Sequence, residues 1–325
     1  MHSVYCANTF ACCMPYKPLN IGDAMIRHTQ ILILFLTLFS LRSIACLNYY
    51  VVDSSGHRNM HNDYPPSNII IHTKYDIEDL KTTESKIIAA PTSEKYKYIS
   101  NYCASLIKLG RHKEAIPILE SLLKDKPNEY EINANLAVAY ELNEQIDKAL
   151  DILKKSVDIS PNSHKESEWF HLRILEAAKK LKDDNLIPQE ISVLKIENHT
   201  STKIGVQISY QLKERIPLTK STNNLLSKVI EESADYYKAN ISLEWAIELY
   251  AIAIGYSADN SIKINLWNKI NSSRQKLIDF KNQGKEGSVS KYLYKSNWKK
   301  KINKRINEWA NYTPYYYEKE IKTTF

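Results

Sequence analysis

Apolar positions recur at three- and four-residue intervals through most of this chain. Between residues 96 and 163 one such pattern is written twice, displaced by 34 residues: Ala115 stands against Ala149, Leu119 against Leu153 and Pro127 against Pro161. A small residue at each Ala suits a close crossing of two helices. The apolar residue four positions later lies one turn along the same face, and the Pro follows a helix it cannot continue. The pattern predicts helices over residues 93–109 and 112–124, with Gly110 closing the first, and over 128–142 and 145–158. A further helix, capped by Asn162 or Ser163 and running to Leu181, carries Trp169, Leu172, Leu175, Ala178 and Leu181 on one face. Residues 204–212 read two ways, since Ile204, Val206, Ile208, Tyr210 and Leu212 alternate like a strand while Ile208, Leu212 and Ile216 form a helical stripe. Helix is preferred, because a lone strand among helices would leave its backbone groups unpaired, and Pro217 supplies the stop. A hairpin over 225–258 follows, then a helix over 262–281 with Leu266, Ile270 and Leu277 inward. Ahead of the repeats, residues 46–92 form an irregular leader. It holds a hairpin around Ser54-Ser55-Gly56, a breaker at Tyr64-Pro65-Pro66 and a short helix over 76–85, and it is expected to pack on the first repeat.

The spacing resembles the tetratricopeptide repeat family, whose pattern runs W-x2-L-G-x2-Y, then A-x3-F, then P. The first unit, residues 96–129, places Ile99, Tyr102, Cys103 and Leu106 there, followed by Ala115, Leu119 and Pro127. The second, 130–163, has Asn133, Leu136, Ala137 and Tyr140, then Ala149, Leu153 and Pro161, so a polar Asn133 stands where an aromatic is usual. A third match at 227–260 keeps Ala234, Tyr237, Ala246 and Tyr250 but has Ala258 in place of the Pro. The resemblance implies an all-α fold, a right-handed solenoid of antiparallel helix pairs spanning residues 93–283, whose concave groove binds a peptide or protein partner. It also implies groove positions: Lys97, Ser100, Ala104 and Lys108 from the first repeat, Glu131, Asn135, Val138 and Glu141 from the second. Some members clamp a peptide carboxylate with a Lys and an Asn in the first repeat and an Asn in the second. Asn135 matches the last, while Ser100 and Ala104 occupy the other two places.

Composition narrows this picture. Seven glycines in 325 residues are few for a fold rich in turns, which agrees with helix throughout. The net charge of +7 is concentrated: residues 291–308 carry seven Lys/Arg and one acid, a net of +6. Tyr294, Trp298, Ile302, Ile306 and Trp309 fall on one face of a helix there, with Lys295, Lys299, Lys300, Lys301, Lys304 and Arg305 around the rest. Residues 284–290 read as a linker, so 284–325 is expected to be a separate basic amphipathic segment. Such a helix lies on an anionic membrane surface, grips an acidic partner or caps the solenoid.

Near the N-terminus the apolar run 31–41, with Arg27 before it and Ser43-Ile44-Ala45 after it, has the layout of a signal peptide over residues 1–45. Met25 is a natural start for its charged region. Cleavage after Ala45 is expected, with lipidation of Cys46 as the lipoprotein alternative and an uncleaved inner-membrane anchor as the third reading. The expected location is therefore the periplasm or the outer membrane, where nucleic acid is out of reach and no nucleic-acid partner is expected. Removing the leader would leave Cys46 and Cys103, too few for a disulfide framework; Cys103 reads as a buried small hydrophobe. His57 and His61 stand four apart beside Gly56 and a Pro-Pro breaker, which favours solvated loop histidines over a metal pair. His171 reads as a satisfied edge histidine. No Gly-rich phosphate loop, paired-cysteine metal motif or nucleophile elbow occurs, so no cofactor, no metal and no catalytic residue is expected. The reading is a non-enzymatic protein-interaction scaffold, with a membrane-surface adaptor and an enzyme assembled from distant residues as alternatives.

Overall fold

A computed structural model describes residues 49–52, 58–61, 77–196, 202–285 and 291–311. The expected signal peptide, Cys46 and His57 lie outside the described residues. In chain order the elements are β1 (Tyr49–Val52), β2 (Arg58–His61), α1 (Ile77–Ala89), α2 (Lys95–Lys108), α3 (His112–Asp125), α4 (Tyr130–Leu142), α5 (Ile146–Ile159), α6 (Glu168–Asp183), α7 (Thr202–Arg215), α8 (Asn224–Asn240), α9 (Leu243–Tyr256), α10 (Asn260–Asn282) and α11 (Trp298–Ala310). The strands form an antiparallel hairpin that pairs Tyr49 with His61 and Val52 with Arg58. The body is all-α, and its helices pack in consecutive pairs, as expected of a helical-hairpin solenoid. Residues 204–212 are helical, inside α7.

The duplicated pattern becomes duplicated geometry. Ala115 and Ala149 are fully buried where α3 and α5 cross their partners, with Leu119 and Leu153 one turn further on. After α2 the Arg111 N–H donates to the Leu106 carbonyl at 2.8 Å; after α4 the Gln145 N–H donates to Tyr140 at 2.9 Å. Both are six-to-one bonds that close a helix through a left-handed residue. Gly110 supplies that residue at φ 74°, and Glu144, 34 positions later, takes it at φ 59°. Asn133 shows why a polar residue is tolerated in place of the aromatic: its amide donates to the carbonyls of Pro127 and Glu129 at 3.1 and 2.7 Å, tying the inter-repeat turn to α4.

The repeat is interrupted after α5. Asn162 and Ser163 do not cap the next helix, contrary to the sequence reading. His164, Lys165 and Glu166 instead take left-handed φ of 48°, 60° and 62°, and α6 begins only at Glu168. Buried residues divide into two cores. One holds Leu80 of α1 with Cys103, Leu106, Leu119, Leu136, Leu153 and Leu175. The other is built round α9 and includes Phe170, Ile208, Tyr237, Leu266, Trp298 and Trp309.

The terminal basic segment is therefore not the separate unit that its charge predicts. Trp298 and Trp309 are buried on the second core, where they cannot serve a membrane or an acidic partner. The reason lies in α9, which is largely apolar and buried on every side, so it needs covering all round. Two carboxylates, Glu244 and Glu248, are buried with it; the Tyr294 hydroxyl donates to Glu244 at 3.2 Å, the Tyr292 hydroxyl donates to Glu248, and Arg305 Nε lies 3.5 Å from Glu248. Burial beside Glu248 pushes the Tyr292 hydroxyl well above its usual range. The terminal segment supplies both the apolar cover and the polar partners.

Candidate functional site

A cavity of about 650 Å³ opens where the concave sides of α2 and α4 face α6, the end of α7 and residues 218–223. Ala104, Lys108, Asn135, Val138 and Glu141, five of the eight groove positions, line it. The other three do not. Ser100 is buried beneath Asn135, whose amide donates to its hydroxyl at 3.1 Å. Lys97 and Glu131 are exposed on the same helices but do not line the cavity, and Lys97 Nζ stands 3.8 Å from Glu94. The family resemblance implied these positions on α2 and α4; the reach of the cavity depends on what stands opposite, and that comes from α6 to α8.

The cavity wall is polar and internally paired. Glu141 on α4 receives two bonds from the Arg215 guanidinium at the end of α7, and its Oε2 lies 2.7 Å from His171 Nε2 on α6. Burial opposes its ionisation, but Arg215 and His171 outweigh that and hold the carboxyl far below the usual range. His171 Nδ1 lies 3.9 Å from Glu168, whose Oε1 is 2.7 Å from His164 Nδ1 and accepts from the Tyr130 hydroxyl. Glu168 too is held below its usual range: burial pushes it up, and its bonds from His164 and Tyr130 more than reverse this. His171 is thus satisfied, as the sequence suggests, but at the centre of a buried network and not at an edge. Neither carboxylate is poised to exchange a proton near neutral pH, which suits a positioning role more than general acid-base work. Among the described residues no group of three or more His, Cys, Asp and Glu could hold a metal ion.

The same network fixes the irregular turn. Gln207 on α7 donates to the carbonyls of Lys165 and Glu166, at 3.1 Å each, and Gln211 donates to the Ser167 hydroxyl at 2.9 Å. These bonds span about forty residues of chain, and no local motif announced them.

Comparison with known proteins agrees with this architecture. Residues 106–172 match the family model described as tetratricopeptide repeat. The tandem repeats carry the likeness. A curated relative, interferon-induced protein with tetratricopeptide repeats 3 of Mus musculus, is 23% identical over 158 residues, which is 48% of this chain and 32% of that protein. The chain therefore spans about a third of the relative it matches. Tetratricopeptide repeats indicate a protein-interaction scaffold, and the family match covers α3 to α5, with the adjoining ends of α2 and α6.

Proposed function

We propose that the chain is a non-enzymatic scaffold that holds an extended segment of a protein partner in the cavity between α2, α4 and residues 218–223. The observation that carries this reading is the concave placement of Asn135, Val138 and Glu141 beside the polar wall of His171 and Arg215. A pocket with a few oriented polar groups and an apolar floor suits an extended backbone. A photo-crosslinking residue at Val138, compared with one at the exposed Lys154 on α5, tests it in cells. Adducts with a defined protein from Val138 alone support the reading; the same adducts from both positions, or none from Val138, defeat it.

The same proposal places the scaffold in the periplasm or at the outer membrane. Residues 25–45 support it by their order of charge, apolar run and small residues. The intact mass of the protein recovered from an envelope fraction decides it: loss of residues 1–45 fits export, and a chain still carrying residues 31–41 makes this segment an anchor.

A further inference from the structure

We propose that the outward face of α11 is an electrostatic docking surface for an anionic phospholipid bilayer, acting independently of the cavity. The buried face of this helix is fully used, since Trp298, Ile302 and Trp309 lie against the second core. What remains outside is a shallow surface lined by Lys300, Asn303, Lys304, Asn307, Glu308 and Asn311, with the exposed Lys299 and Lys301 on its flanks. Glu308 is the single acid of residues 291–308, and it stands at one edge of the face, 3.4 Å from Arg305 and 3.8 Å from Lys304.

The composition of this face selects among anionic partners. Protein interfaces are anchored by aromatic, Met and Arg side chains and are depleted in Lys. Here the aromatic residues point inward, and the outward arc offers lysine and short amides. Single-stranded nucleic acid would want exposed rings on which its bases stack, and this arc has none. A plane of lipid phosphates needs only point charges at a flat surface, which lysines provide. Among the described residues of this face none offers a ring to insert, so its attachment is electrostatic, and therefore reversible and salt-dependent.

Sedimentation of the full chain with phosphatidylcholine vesicles, with and without phosphatidylglycerol, reads this directly. Phosphatidylglycerol adds the charge-dependent part of binding, and the α11 substitutions, read against a lysine control elsewhere, show how much of that increment belongs to α11. Each neutralised lysine is expected to lower that increment roughly fivefold, and K299A/K300A/K304A by on the order of a hundredfold. All three side chains are exposed, so the melt of this variant should match the parent, and Lys154→Ala on α5 serves as the charge control. The expected result is an increment abolished by the triple variant and by high salt but kept by the control. An increment unchanged in the triple variant, equal loss in the control, or tighter capture by polyglutamate or duplex DNA than by the vesicles would overturn the proposal.

Discussion

The second helices of two hairpins, α5 and α9, have the same length and the same alanine landmark, Ala149 in one and Ala246 in the other, yet they live in different surroundings. In α5 the buried residues are Ala149, Leu150, Leu153 and Ser156, one stripe of an amphipathic helix. In α9 all fourteen residues from Leu243 to Tyr256 are buried, because α8, α10 and α11 enclose it. Helix ends differ as well. No side chain caps α2 to α5, whereas Asn223, Ser242 and Asp259 accept from the first-turn N–H groups of α8, α9 and α10. Each such cap contributes about 1 kcal/mol. Repeat spacing thus sets a hairpin's crossing, while the neighbours decide whether its second helix is a surface element or an axis. The tandem half keeps a concave face open onto a cavity; the other half closes on itself.

The largest break of this comparison is removal of residues 291–325. Leu293, Trp298, Ile302 and Trp309 are buried, and burying four such side chains is worth on the order of 6–12 kcal/mol. Typical domains have a net stability of about 5–15 kcal/mol. Truncation also strips Glu244 and Glu248 of Tyr292, Tyr294 and Arg305. The second core is expected to lose its cooperative melt and near-ultraviolet signal. A truncated chain that melts like the parent would show that α11 is an appendage after all.

Next in size is Arg215→Ala at the seam between the cores. It leaves Glu141 partly buried with only His171 beside it, and losing one partner of a buried pair costs about 3 kcal/mol. Because the folded pKa of Glu141 is depressed, the parent's stabilisation is present above the unfolded carboxylate value of about 4.3 and is lost as the pH falls through the folded value. Denaturant melts should show the gap between parent and variant at neutral pH and its narrowing in acid. A gap that does not narrow would assign the loss to packing of the Arg215 stem.

Much of this was legible in the sequence, because periodicity is local. The helices and hairpins, the register of Ala115, Ala149 and Ala246, and the alignment of Asn135 and Val138 on one helix face follow from spacing alone. What escaped depends on distant residues. Glu141 meets His171 and Arg215 thirty and 74 residues away. The turn at His164–Glu166 uses left-handed backbone without a glycine, so its usual marker is missing. The terminal helix was visible as an amphipathic stripe, but what covered the stripe was not. One signal could have shown it: Glu244 and Glu248 interrupt an otherwise apolar helix at i,i+4, and two carboxylates there require partners from elsewhere.

A paired substitution sharpens the contrast between the hairpins. Ala149→Leu and Ala246→Leu each add a large side chain at a fully buried crossing, an overpacking cost of about 1–3 kcal/mol. The α5 site should fall at the low end, because that helix has an exposed face and can tilt away. The α9 site should fall at the high end, since α9 is enclosed on all sides. Chemical denaturation with an unchanged slope measures both, and equal losses would mean that enclosure does not stiffen α9.

The smallest expected effect lies at the turn joining the two halves. His164 Nδ1 is 2.7 Å from Glu168, with Tyr130, Tyr210 and Glu214 also facing it, and its pKa is raised chiefly by that bond to Glu168, against the opposing pull of burial. The fold therefore favours the protonated ring. Its contribution is fully present below the ordinary histidine value of about 6.5 and is lost as the pH rises through the raised folded value. The ring is 42% exposed, so solvent screening limits the effect to about 0.5 kcal/mol or less. His164→Asn is the suitable probe, because asparagine tolerates the left-handed backbone at φ 48° and the variant removes only the ring. The parent should melt slightly higher than this variant in mildly acidic buffer, and the two curves should converge in mildly basic buffer. A gap of the same size at both ends would mean that the histidine holds the turn by its shape, and that the junction between the open and closed halves is insensitive to its charge.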